Sequence, residues 1–365
     1  MSDDPAGRAE ARHRPWGMEW RAEARPTAAL VLALLLPVAA QAQGFAGLGA
    51  DAEGFALPEP GFAFAFPRDH GSHDAFRVEW WYLTANLEGP DGTPYGLQWT
   101  LFRTALAPGG APEDQLWMGH AAVTTPDAHF VAERLARGGT GQAGVTLEPF
   151  EAWIDEWRLM GDLGGEATLA AQGFDFGYDM TLTAEGPVVL QGEAGYSVKS
   201  DGGQASHYYS MPFLAIEGTL LLPGGEVPVT GRAWLDREWS SQPLADRQVG
   251  WDWFSLSFDT GEKLMGFRLR EDGGDPFTAA TWIAADGTPE ATTGAFAAEP
   301  LREARVDGRE VPVRWRVSLP PRGLDAIVEA VNPQAWMDTT VPYWEGPVTV
   351  TGSHEGRGYL EMTGY

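Results

Sequence analysis

The chain has no cysteine among its 365 residues. That absence excludes a disulfide scaffold, a thiolate metal site and a cysteine nucleophile. Basic side chains are scarce: 25 Lys and Arg stand against 51 Asp and Glu, a formal charge of −26. Nucleic acid and anionic membrane would both be repelled, which argues against either as a partner. No long apolar run follows residue 40, and no segment sustains a helical period, although residues 133–137 could start one turn. G-x-S-x-G, H-E-x-x-H, P-loop and G-x-G-x-x-G motifs are all missing. What the sequence has is 44% hydrophobic residues and 16 Trp, too rich for a disordered chain.

The N-terminal segment reads as an address. Arg21 and Arg25 precede the apolar run of residues 28–40, which leads into Ala40-Gln41-Ala42. A charged start, a short apolar stretch and small residues at the −3 and −1 positions predict a secretory leader cut after Ala42, with Met18 the better start. The run is short of the roughly 20 apolar residues that span a bilayer. The expectation is a periplasmic or secreted protein with no stable membrane insertion after cleavage; the alternative is an uncleaved anchor. Removing 42 of 365 residues leaves 323, more than one hydrophobic core usually serves, so two domains are expected.

Beyond the leader the texture is β. Apolar and aromatic runs of strand length recur at residues 78–83, 96–102, 120–124, 150–157, 178–182, 208–216, 227–234, 251–258, 264–269, 311–319 and 348–351. Pro90-Asp-Gly-Thr93, Pro223-Gly-Gly225 and Asp259-Thr-Gly261 supply turn chemistry between them. Many short strands predict an all-β fold of antiparallel sandwiches or barrels. Residues 43–63 read as a lead-in. The polar, Pro-punctuated Ser240-Ser-Gln-Pro-Leu-Ala-Asp246 is the candidate joint, giving domains of 64–240 and 241–365.

Three segments concentrate chemistry. In Ser206-His-Tyr-Tyr-Ser-Met-Pro212, strand alternation puts His207, Tyr209 and Met211 on one face, and Tyr208 and Ser210 on the other. In Gly231-Arg-Ala-Trp-Leu-Asp-Arg-Glu-Trp239, Trp234, Asp236 and Glu238 share a face. The turn at 223–225 makes the two strands candidate neighbours, so His207 and Asp236 could form a proton-handling pair in an aromatic interior. Alternatively, Asp236 pairs with Arg232 or Arg237, and His207 is an ordinary hydrogen-bonded strand residue. Trp251 and Trp253 share a face, either walling a site for an elongated apolar ligand or filling a core. His70 and His73, in Arg68-Asp-His-Gly-Ser-His-Asp74, could ligate a metal only if the segment curls, and no other His completes a set, so no metal is expected.

Taken in order, Phe66-Pro-Arg-Asp-His-Gly-Ser-His73, Glu79-Trp-Trp-Tyr82, Gly96-Leu-Gln-Trp-Thr-Leu-Phe-Arg103, the 231–239 segment, Gly250-Trp-Asp-Trp-Phe-Ser-Leu256, Tyr343-Trp-Glu-Gly346 and Gly358-Tyr-Leu-Glu-Met-Thr-Gly-Tyr365 form a set. This set resembles the exported lipocalin-like proteins grouped with the carotenoid hydratases, also labelled AttH-domain proteins or predicted secreted hydrolases. The resemblance runs over residues 64–365 and implies two lipocalin-like β-barrels packed side by side with an apolar pocket. It also implies addition of water across a C=C bond without a cofactor. His207 and Asp236 fall on the family's acid–base positions. Tyr209 stands where the hydratases have Trp, and Trp234 where they have Tyr.

The mechanism this implies has a neutral Asp236 protonating an alkene or another weakly basic group and Trp234, Trp251 and Trp253 stabilising the cation, with His207 orienting water or restoring the proton. Trp80, Tyr82 and Met211 complete the expected ligand-binding set. The expected partner is an apolar, isoprenoid or lipid-like small molecule; no protein partner can be inferred. Two other readings stay open. One is a periplasmic carrier of an apolar ligand without chemistry. The other is a secreted hydrolase, which would need Glu238 as a second carboxylate or a serine beside His207.

Overall fold

A computed structural model describes residues 52–365, and the leader expected at 1–42 lies outside them. Among the described residues there are 23 strands and three short 3-10 turns. The first sheet is built from β1 (Val78–Glu88), β2 (Pro94–Ala105), β3 (Gln115–Thr124), β4 (His129–Arg137), β5 (Ala143–Leu147), β6 (Phe150–Ile154) and β7 (Trp157–Gly161). It continues with β8 (Glu166–Gln172), β9 (Gly177–Ala184), β10 (Val189–Leu190), β11 (Tyr196–Val198), β12 (Ala205–Leu222) and β13 (Gly225–Ser240). The second comprises β14 (Gln248–Phe258), β15 (Lys263–Glu271), β16 (Phe277–Ile283), β17 (Pro289–Thr293) and β18 (Ala297–Val306). After these come β19 (Arg309–Leu319), β20 (Leu324–Ala330), β21 (Trp336–Met337), β22 (Tyr343–Gly352) and β23 (Gly356–Thr363).

All pairings are antiparallel. The spatial orders are β4-β3-β2-β1-β13-β12-β9-β8-β7-β6-β5 and β17-β16-β15-β14-β23-β22-β20-β19-β18. Each sheet curls around its own apolar core, giving two lipocalin-like near-barrels side by side. Trp81, Leu83, Trp99, Leu101 and Trp157 fill the first, and Phe254, Trp315, Val328 and Trp344 the second. The three turn motifs connect β1 to β2, β12 to β13 and β14 to β15. Two local expectations fail. Residues 133–137 extend β4 instead of starting a helix, and residues 150–157 split into β6 and β7 around Asp155 at φ 52°.

The central strands of the first sheet are buried on both faces, because their outer face meets the second barrel. Trp81 and Leu83 on β1 point into the first core, while Tyr82 joins Tyr208, Trp234, Trp253, Phe267 and Tyr359 in a separate cluster between the barrels. At Gly96 the barrels come so close that a Cβ would lie 2.6 Å from Pro347 and 2.8 Å from the Tyr359 hydroxyl. Only glycine fits there without displacement.

Candidate active site between the two barrels

The outer faces of β1, β3 and β13 meet those of β14, β15 and β23 around a cavity of about 650 Å³. Aromatic and aliphatic groups make most of its wall, including Trp80, Tyr82, Trp251, Trp253, Phe267 and Leu269. Among them sit the carboxyl groups of Glu79, Asp236, Glu238 and Glu361, the ammonium of Lys199 and the guanidinium groups of Arg103 and Arg137.

Asp236 is fully enclosed at 2% exposure. Pleating puts it on the cavity face of β13, opposite Ser210 on β12 and Tyr82 on β1. Its Oδ1 accepts hydrogen bonds from Ser210 Oγ at 2.5 Å and Trp234 Nε1 at 2.7 Å, and its Oδ2 accepts one from Tyr208 Oη at 2.9 Å. The two hydroxyls are themselves held by donors that cannot accept. Gln191 Nε2 donates to Ser210 at 2.7 Å, and Trp253 Nε1 donates to Tyr208 at 3.2 Å. Each hydroxyl proton is thereby directed at Asp236. Burial pushes the carboxyl up to about 7 against the opposing pull of these bonds. A carboxyl balanced there can give or take a proton near neutral pH.

Two residues along β13, Glu238 pairs with Lys199 at 2.7 Å and accepts the Ser206 hydroxyl. The Lys199 ammonium lies 4.4 Å from the Phe267 ring centre. On the second barrel's wall, Glu361 accepts the Trp251 indole N–H and is raised to about 7 by burial. Behind it Glu345 accepts the Tyr82 hydroxyl, and burial raises it well above the usual carboxylate range.

The expected residues divide into two groups. Asp236, Trp80, Tyr82, Trp251 and Trp253 line the cavity, and Trp234 braces Asp236 from the interbarrel cluster. His207, Tyr209 and Met211 do not; they lie on the opposite face, inside the first barrel. The expected His207–Asp236 pair does not form. The His207 ring packs 4.4 Å from Phe62 and 5.6 Å from Trp239, with Nδ1 unpartnered. Burial pushes its imidazole down to about 4. Tyr209 Oη is 2.6 Å from His70 Nδ1, and Met211 belongs to the first core.

The physical reason is a β-bulge. From the turn, the register runs Leu222↔Gly225 to Leu214↔Ala233; a regular ladder would then set Met211 opposite Asp236. Instead the register shifts between Met211 and Leu214, so Met211 faces Leu235 and His207 faces Trp239. One extra residue flips everything beyond it to the other face. Pro212, which cannot donate to the ladder, was the sequence signal for that irregularity.

The arginine alternatives fail as well. Arg232 pairs with Glu185, and Arg237 points into the first barrel, 3.0 Å from Glu79. His73 stacks on Trp239 at 3.6 Å and sits between Asp69 and Glu79. Among the described residues no three His, Asp or Glu side chains group as a metal site. Sequence reasoning missed the roles of Tyr208, Ser210, Lys199, Glu345 and Glu361. For the last two the signal was present in the 343–346 and 358–365 motifs, which carried a family resemblance but no assigned role.

Fold and site together define a lipocalin-like protein of two barrels with a titratable, aromatic-walled cavity between them. The AttH-like family model matches residues 57–365, and the chain belongs to that family. A crystal structure from Nitrosomonas europaea, provisionally described as AttH, is 36% identical with a TM-score of 0.78, covering 85% of this chain and 99% of its own. Kievitone hydratase from Nectria haematococca shares the fold at 14% identity and TM-score 0.65, covering 85% and 95%. CghA with Sch210972 does so at 14% and 0.51, covering 86% and 97%. Comparison with curated protein sequences gave no significant match.

Proposed function

We propose that this protein binds an elongated apolar molecule, of isoprenoid or lipid type, between its barrels and adds water across one of its C=C bonds. The observation that carries the reading is Asp236: a carboxyl poised about pH 7 by burial, on an apolar cavity wall, with three hydrogen-bond donors fixing it. Its proton passes to one alkene carbon, forming a C–H bond and leaving a cation on the other. Water supplies the oxygen to that cation and loses one proton to a base, so alkene plus water gives alcohol. The faces of Trp253 and Trp251 stand in for water around the cation. Leu116 and Leu135, 42% and 57% exposed on the cavity's rim, suit a ligand longer than the chamber. One fold neighbour is named a hydratase, in keeping with this reaction class. The leader expected at residues 1–42 would place the chemistry in the periplasm or outside the cell.

The test is incubation of the protein with lycopene and squalene in heavy-oxygen water, with binding followed by quenching of tryptophan fluorescence. Oxygen incorporation that Asp236→Asn abolishes while quenching persists is the expected result. Quenching without incorporation makes the protein a carrier, and full activity in Asp236→Asn overturns the acid assignment.

A further inference from the structure

With His207 inside the first barrel, the proton that water releases needs an acceptor other than the expected imidazole. Three carboxylates besides Asp236 line the cavity. Glu79 is held by Arg103 at 2.5 Å and Arg237 at 3.0 Å. Glu238 is held by Lys199 and Ser206. Glu361 forms no ion pair among the described residues; the Trp251 indole N–H bonds to it, and the Tyr82 hydroxyl lies within hydrogen-bonding reach. The other cation on the wall, Arg137, is turned to the Glu113 carbonyl.

The position of Glu361 is built. On β23 it stands directly opposite Glu345 on β22, a relation that puts Cβ atoms about 5 Å apart. Glu345 is 1% exposed, and its Oε2 has no hydrogen-bond partner. Two carboxylates that close, with Glu345 wholly buried, resist double ionisation, so the pair holds one proton between them. Tyr82 from the first barrel and Tyr343 and Tyr359 from the second face this pair, with Glu238 acting on Glu361 from across the cavity. All three tyrosines are raised well above their ordinary range by burial, so they stay neutral and add no charge. His120, against Tyr343, is pushed down by burial.

We propose that Glu361, backed by a protonated Glu345, is the second acid–base group of the cavity and takes the proton that water loses as its oxygen bonds to the cation. The assignment rests on the hydration reading. Each turnover costs Asp236 one proton and gives Glu361 one. Release from Glu361 to solvent and uptake at Asp236 restore both, so no other reactant is needed.

The experiment uses Glu361→Gln and Glu345→Gln in the full chain, with lycopene as probe. Asp236 must be protonated and Glu361 ionised, so wild-type kcat is bell-shaped in pH. Glu361→Gln is expected to lower kcat roughly 10²–10⁴-fold and erase the acidic limb, with fluorescence quenching retained. A second readout needs no substrate. The infrared carbonyl band of buried neutral carboxyls, present in the wild type near pH 7, should weaken in Glu345→Gln.

A Glu361→Gln enzyme with wild-type rate and pH profile, alongside an inactive Asp236→Asn, overturns this proposal and leaves hydration standing. An infrared band unchanged by Glu345→Gln overturns it too, even if no polyene reacts. Activity in Asp236→Asn refutes the hydration reading itself.

Discussion

Replacing Asp236 by Asn should make folding stability lose a specific part of its pH dependence. The carboxyl titrates near its ordinary 3.8 in the unfolded chain and near 7 in the folded one, a difference of about 3 units. At 1.36 kcal/mol per unit, ionisation costs the folded state about 4 kcal/mol. The sign follows from the direction of the shift: the cost is absent below 3.8, grows as pH rises, and is complete above 7. Asparagine keeps the shape and removes the charge. Its Oδ1 can accept from Trp234 and Ser210, and its amide can donate to the remaining lone pair of Tyr208 Oη.

The wild type should therefore lose stability relative to the variant as pH rises. The chain's isoelectric point near 4.5 makes acidic solutions prone to precipitation, so the scan starts at about pH 5.5. From there to pH 9 the difference still grows by roughly 2 kcal/mol. Urea unfolding of both proteins across this range, followed by tryptophan fluorescence, measures it. Glu361 and Glu345 titrate in both proteins and largely cancel in the difference. A wild-type-minus-variant stability that stays flat with pH would refute the claim that burial controls Asp236.

Two further outcomes separate the site from its surroundings. His207→Phe keeps an aromatic ring among Phe62, Phe76 and Trp239, so hydration of lycopene should survive; a fall of the roughly 10²–10⁴-fold size typical of losing an acid–base group would return the imidazole to the mechanism. Gly96→Ala drives a methyl against Pro347 and Tyr359 where the barrels touch, and should cost about 1–3 kcal/mol by urea unfolding, whereas unchanged stability would show that the contact yields freely.

Much of the architecture was legible because strand patterning and turn chemistry are local. The Pro223-Gly-Gly225 turn correctly joins the strands bearing His207 and Asp236, and alternation within each strand correctly groups Trp234, Asp236 and Glu238. What alternation could not supply was the parity between the strands. That depends on the Pro212-Phe213 bulge, and one residue of slip decides which face meets Asp236. Aromatic richness announced an apolar chamber. It did not reveal that the chamber lies outside both barrels, where Tyr82 and Tyr359 meet.

The sequence by itself determined an acidic, cysteine-free, all-β chain of the AttH-like family, since charge, composition, turns and ordered motifs are properties of short segments. Only tertiary structure decided which acids work together. Asp236 and Glu361 are 125 positions apart, and they line one cavity because two sheets pack outer face to outer face. Burial between the barrels raises both carboxyls to about 7, an effect that appears only when the barrels close on each other.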